Sequence, residues 1–154
     1  MIIVIMNEKA LHDITYGLYL IGSRSGERDG ACISNTVIQA ANSPNRIAVS
    51  LNKSNYTTEL ILNGGKFSVS IISQSAPFEL FKRFGFQSGR NADKFAGADY
   101  VERAEGGIYG LKKYCLSRIL AKVADTADLG SHILFAADVL DCDVLACEKP
   151  AVIR

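Results

Sequence analysis

The sequence predicts a mainly β fold: an antiparallel, closed or nearly closed barrel with short helices on its rim, with a β-sandwich as the alternative. Three observations carry this. Apolar residues recur at every second position in several short runs, which is the strand period. The two stretches that read as helix are short and are bounded by cap-type residues and glycines. These helices do not alternate regularly with the strands, as a doubly wound parallel sheet requires, so an antiparallel barrel fits better.

Residues 14–22 are rich in Tyr, Leu and Ile and read as a strand. The glycine-containing run 25–30 is a turn, and Ala31-Cys32-Ile33 begins the next strand. Residues 46–52 alternate, with Ile47, Val49 and Leu51 on one face; residues 66–72 alternate again, with Phe67, Val69 and Ile71 inward. Between them, residues 55–63 start on cap-type residues, carry Leu60 and Ile61 on one side and end at Gly64-Gly65, a short helix with a glycine stop. Ser75-Ala76-Pro77 opens a second helix. Ser75 can cap it, Pro77 suits its first turn, Glu79 complements its positive end, and Gly85 stops it after Phe84. Residues 86–97 form a polar loop, and Tyr109, Leu111 and Lys112-Lys113 fall in short strands or turns. Residues 114–124 and 132–144 are two further strands joined by 125–131, with Ile133, Phe135, Ala137 and Val139 sharing a face. No linker, repeat or low-complexity stretch interrupts the 154 residues, and one domain, 1–154, is expected.

Seventeen Lys and Arg against sixteen Asp and Glu give a formal net charge of +1, which removes the strongest argument for a nucleic-acid partner. No apolar run approaches the ~20 residues that cross a bilayer. The opening Ile2-Ile3-Val4-Ile5-Met6 is short and lacks the basic flank of a signal peptide, so a cytoplasmic protein without a membrane partner is expected. Cys32, Cys115, Cys142 and Cys147 form no C-x-x-C pair, and His12 and His132 are the only histidines. The usual zinc spacing is therefore missing, no metal is expected, and the thiols are expected to be reduced. Dinucleotide and P-loop glycine motifs are also missing.

Three polar clusters interrupt the apolar strands: Ser34-Asn35-Thr36 with Gln39, Ser50-Leu51-Asn52-Lys53-Ser54-Asn55-Tyr56-Thr57, and residues 87–95. Solvation alone accounts for any single one; the second and third together suggest more. The second runs into a helix whose first N–H groups lack internal partners, and Thr57 in that turn can donate to a phosphate oxygen. Ser88-Gly89-Arg90 offers a backbone donor beside a guanidinium fork, and Lys94 adds a point charge. A monophosphate suits this set. No nucleophile–base pair is readable; His132 is the one titrating candidate near a strand end, and His12 reads as a surface residue. A phosphate site without acid–base apparatus points to a cofactor that carries the reactivity.

Four of these motifs, in this order and spacing, resemble the flavin reductase-like family of FMN-binding split barrels. They are residues 31–39, residues 47–57, Phe84-Gly85-Phe86-Gln87-Ser88-Gly89-Arg90 with Asp93-Lys94-Phe95, and Asp128-Leu129-Gly130-Ser131-His132. Residues 11–19 are most similar to the subgroup in which this domain is fused to rubredoxin, although the two C-x-x-C pairs that rubredoxin iron needs are not in this chain. The resemblance implies an antiparallel split β-barrel with short peripheral helices. It implies Asn35, Thr36 and Gln39 along the isoalloxazine and ribityl chain, and Ser50, Leu51, Asn52 and Lys53 along the flavin edge and phosphate side. Tyr56, Thr57, Ser88, Gly89, Arg90 and Lys94 would hold or border the phosphate, with Phe95 packed beside it. His132 would face the flavin pocket or the nicotinamide entry.

The activity so implied is hydride transfer from NADH or NADPH to FMN, FAD being the less favoured flavin, with electrons passed to free flavin, an iron–sulfur or rubredoxin-type protein, or oxygen. A homodimer is implied as well. Two other readings stand beside it: a flavodoxin-like FMN electron carrier without nicotinamide activity, and a split barrel that has lost its flavin and serves in binding.

Overall fold

The computed structural model describes residues 5–90 and 93–153. Most of the opening apolar run, and Asn91 and Ala92 of the third polar cluster, lie outside the described residues. A 3-10 segment, Glu8–Asp13, leads into β1 (Tyr16–Gly17), β2 (Tyr19–Ser25), β3 (Arg28–Ser34), β4 (Val37–Asn42) and β5 (Asn45–Asn52). Helix α1 (Tyr56–Gly64), β6 (Lys66–Ile72) and helix α2 (Phe78–Gly85) follow. Next come β7 (Val101–Arg103), β8 (Tyr109–Leu111), β9 (Cys115–Asp128), β10 (His132–Val144) and β11 (Val152–Ile153).

Seven strands form one antiparallel sheet in the order β3-β2-β6-β9-β10-β5-β4. Its two edges, β3 and β4, are separated in the chain only by Asn35 and Thr36. The sheet must therefore curl until its edges approach, yet they are not hydrogen-bonded to each other. The result is a barrel split along one seam, more open than the closed form that strand periodicity alone allows.

β2 is buried on both faces, because successive side chains point to opposite sides of a sheet. Ile21 enters the barrel interior with Val49, Phe67, Val69 and Phe135, while Leu20 enters a second cluster with Ile72, Leu80, Phe84 and Leu111 beneath α2. Each such side chain contributes about 1.5–3 kcal/mol when fully buried. β6 keeps Phe67 and Val69 inside as its alternation predicts, but Ile71 is only half-buried and Ile72 is fully buried. A register shift between Ile71 and Ile72 in the β6–β9 pairing breaks the alternation there. The intervening Ser68 and Ser70 are buried and bonded: Ser68 Oγ donates to Tyr109 O, and Ser70 Oγ accepts from Leu111 N, which fixes the β7–β8 hairpin over the sheet.

α1 begins at Asn55, whose Oδ1 accepts from Thr57 N, and ends at Gly65 with φ 77°, a left-handed C-cap that glycine adopts without a Cβ penalty. α2 differs from the expectation at its start. Pro77 is itself the N-cap and makes no side-chain cap bond, while the Ser75 hydroxyl pairs with that of Ser73 at 2.9 Å. The β2–β3 turn is confined to Gly26-Glu27, and β9 runs on to Asp128 because β10 pairs with it as far as Ile133.

Candidate functional site

The chain leaves β5 at Asn52 and turns at once into α1, so the last residues of β5 and the first turn of the helix stand side by side. β10 pairs with β5 so that His132 lies opposite Asn52 and Leu134 opposite Ser50. The seam residues Ser34 and Asn35 complete one wall. Together they enclose a cavity of about 310 Å³ lined by Ser34, Asn35, Ser50, Leu51, Asn52 and His132, among others. A second cavity, of about 280 Å³, is lined by Cys32, Ser54, Tyr56, Gln87, Ser88, Gly89 and Lys94. Ile33 and Asn55 belong to both walls, so the two cavities adjoin in a groove between the strand ends and the N-terminus of α1.

Local bonds hold the groove's polar groups. Asn52 Oδ1 accepts from Ser54 N at 2.9 Å and from Ser54 Oγ at 2.7 Å, and Thr58 Oγ1 donates to Asn52 O at 2.8 Å. Ser34 Oγ accepts from Thr36 N at 3.1 Å, and Thr36 Oγ1 donates to Asn35 Oδ1 at 3.0 Å. Ser131 Oγ and His132 Nδ1 are 2.8 Å apart. Lys53 Nζ lies 2.7 Å from Asp128 Oδ1 and holds that carboxyl below its usual range. Gln39 lies on the exposed edge strand, where its amide reaches Ala41 O and Asn45 Oδ1 and lines neither cavity.

Several expected phosphate-side residues have other partners too. Thr57 is 1% exposed and sits beside Cys32 beneath the helix, while its neighbour Tyr56 faces the groove. A Cβ on Gly89 would lie 3.1 Å from Tyr56 Cδ2, so the loop passes flat against that ring. Arg90 continues over the same ring, 5.1 Å from its centroid, and its Nη1 bonds Glu59 Oε2 at 2.9 Å. Lys94 is 5% exposed; its ammonium donates to Ala31 O at 2.9 Å and Phe84 O at 3.1 Å, and burial lowers its pKa. Phe95 stacks on Tyr109 with ring centres 4.2 Å apart. Burial pushes the Cys32 thiol up to about 11, so it stays neutral near pH 7. Ile33, Cys32 and Leu18 in the groove wall escaped the sequence reading, since nothing in their type separates them from core residues.

Residues 11–153 match the family model described as a flavin reductase-like domain. The chain belongs to the flavin reductase-like family. As a member it is an oxidoreductase whose redox group is a flavin. It is 42% identical over 145 residues to a high molecular weight rubredoxin of Moorella thermoacetica, covering 94% of this chain and 63% of that protein, so it spans under two thirds of that relative. It is 36% identical over 140 residues to a ferric-chelate reductase (NAD(P)H) of Archaeoglobus fulgidus, covering 91% and 82%. The fold is shared with an NADH:FAD oxidoreductase of Streptomyces globisporus, with TM-score 0.85, 14% identity, and coverage of 95% and 86%.

Proposed function

We propose that the groove binds FMN, with the isoalloxazine toward His132, Asn52, Ser50 and Asn35 and the phosphate toward the N-terminus of α1, and that NADH or NADPH is the electron donor. The observation that carries this reading is the adjacency of the two cavities: one is ringed by amide and hydroxyl groups of β5 and the seam, and the other lies at a helix N-terminus beside Ser88 and Gly89. When bound, the flavin supplies the two-electron chemistry, taking hydride from the nicotinamide and releasing electrons to an acceptor. The protein's work is placement. Asn52 and Asn35 are held by short bonds to their neighbours and so present fixed dipoles to a ring, while Asn55 orients the first turn of α1. Arg90, with one of its five N–H groups on Glu59, keeps donors for a phosphate oxygen.

The relative named as an NAD(P)H reductase supports the nicotinamide donor, and the rubredoxin-named relative supports a redox protein as one class of acceptor, beside free flavin and oxygen. A homodimer is part of this reading: Ile38, Leu140, Val144 and Val152 are all about half-exposed or more, on strands that leave apolar surface to cover. Among the described residues no helix is long and apolar enough to cross a membrane, and the four free thiols suit a reducing compartment such as the cytoplasm. The test is anaerobic mixing of the FMN-loaded protein with NADH and with NADPH. Rapid bleaching of the flavin band is expected with at least one. A band bleached by dithionite but by neither nicotinamide makes the protein an electron carrier; a protein that never takes up flavin ends both readings.

A further inference from the structure

The 310 Å³ cavity beside His132 has two unlike walls. One is polar and comes from the seam, β5 and the start of β10, with Ser34, Asn35, Ser50, Asn52 and His132. The other is apolar. Of its side chains, Leu51 is 4% exposed and spent in the barrel interior, and Ile33 is shared with the adjoining cavity. Leu18 and Ile153 remain, and both lie outside the strands of the seven-stranded sheet.

Ile153 reaches the cavity by a detour. β10 starts at His132 beside the groove and carries the chain away from it. Residues 145–153 bring it back as a strap. Leu145 N donates to Leu116 O at 2.7 Å, Gln74 N to Lys149 O at 2.9 Å, and Ala151 N to Ile72 O at 2.9 Å. Ile72 N in turn donates to Leu18 O at 3.1 Å, so one row of backbone bonds links Leu18 to the strap. Ala151, 8% exposed, anchors the strap in the cluster beneath α2. β11 then pairs with β1, Val152 opposite Gly17 and Ile153 opposite Tyr16. Successive strand residues point to opposite faces. Ile153 accordingly lines the cavity, and Val152 is not in its wall. Ile153 is 42% exposed and belongs to neither core cluster, so the backbone, and not its own side chain, holds it there.

We propose that the strap supplies the apolar wall of the flavin ring's site, and that Ile153, beside Leu18, is a side chain on which the isoalloxazine packs. The proposal rests on the flavin reading of the groove. A flat aromatic ring presents wide apolar surface and a few polar edge atoms, and sites for such ligands are mainly apolar with a small number of placed polar groups. The amides and hydroxyls of β5 and the seam suit the edge atoms. The apolar surface needs a partner that the polar wall does not offer, and Leu18 and Ile153 are the side chains positioned to give it. Ring binding thereby depends on a segment that follows the last strand of the main sheet.

The experiment is fluorescence titration of wild type, Ile153→Ala and Val152→Ala with FMN and with riboflavin, beside their urea midpoints. Ile153→Ala is expected to raise the dissociation constants of both flavins by one common factor, about three- to tenfold, because a bound ring covers methyl groups that alanine lacks. Val152→Ala sits on the same strap with its side chain outside the cavity, so its affinities stay within about twofold of wild type. The urea midpoints of the variants match that of wild type. Unchanged affinities in Ile153→Ala, a loss confined to FMN, an equal loss in Val152→Ala, or a loss matched by a fall in the urea midpoint each overturn the proposal and leave the flavin reading standing. Wild type that binds neither flavin ends that reading, and the proposal with it.

Discussion

Replacing Lys94 with Met tests how the loop beside the groove is held. The ammonium is 5% exposed and spans two elements, donating to Ala31 O in β3 and Phe84 O in α2. Met fills similar space but strands both carbonyls, at about 1–3 kcal/mol each. Removing a buried charge offsets part of that near neutrality. The pH dependence separates the two effects. Burial lowers the Lys94 pKa in the folded protein, so between that lowered value and the ordinary one near 10.5 the unfolded chain binds more protons. Folded stability must therefore rise with pH across that window, by at most about 1.36 kcal/mol per pH unit. A neutral amine still has two N–H groups, so both carbonyl bonds survive deprotonation. Cys32 titrates in the opposite sense, its thiol being raised to about 11, but it is common to both proteins and largely cancels in the difference. The assay is urea unfolding of wild type and Lys94→Met from pH 7 to pH 10. Wild type is expected to gain on the variant as pH rises, approaching about 2–6 kcal/mol at the alkaline end, where both carbonyls count and the charge offset is gone. Parallel curves, or a gap that closes with pH, refute the view of Lys94 as a buried ammonium tying loop, strand and helix together.

Three further outcomes are expected. Arg90→Ala raises the dissociation constant for FMN about ten- to hundredfold and leaves riboflavin nearly unchanged. Stability falls by under about 1 kcal/mol, because the pair with Glu59 is half-exposed; equal losses for both flavins in fluorescence titration show that Arg90 supports the fold and not the phosphate. Gly89→Ala brings a Cβ to 3.1 Å from the Tyr56 ring and costs about 1 kcal/mol of FMN affinity, a loss that Tyr56→Ala in the same chain suppresses if that contact is its cause. Tyr100→Phe removes the 2.7 Å bond to Glu79 Oε2, the main reason that carboxyl stays below its usual range, ahead of Arg83. The expected cost is about 1 kcal/mol at pH 7, discounted for the half-exposed carboxylate. It is present above the usual Glu value and is lost as pH falls through the depressed one, so a difference in urea midpoints that does not shrink as pH falls below the usual Glu range contradicts it.

The strands with strong alternation were legible to the residue: the expected runs 66–72 and 132–144 are the observed β6 and β10. β4 was not, because its exposed Val-Ile-Gln-Ala-Ala-Asn carries no inward-facing pattern and is a strand only through its pairing with β5. The polar end of β9 is extended for the same reason, by its partner β10. At the site, residue types were legible and directions were not. The chain alone shows that Asn52 and His132 are polar; that they face each other is a fact of register. Likewise a lysine in a polar loop reads as a free charge, whereas Lys94 is drawn inward by two carbonyls of distant elements.

The pairing of β5 with β10 has a consequence for how the protein is made. It joins segments far apart in the chain, and in the finished sheet β10 reaches β5 from β9, which is itself held by β6. Such long-range closure slows folding, since loop entropy is lost before the contacts reward it. The corner where Asn52 meets His132 comes into being only with that closure. Flavin capture in a refolding experiment is therefore expected to lag behind early strand formation and to coincide with the β5–β10 closure.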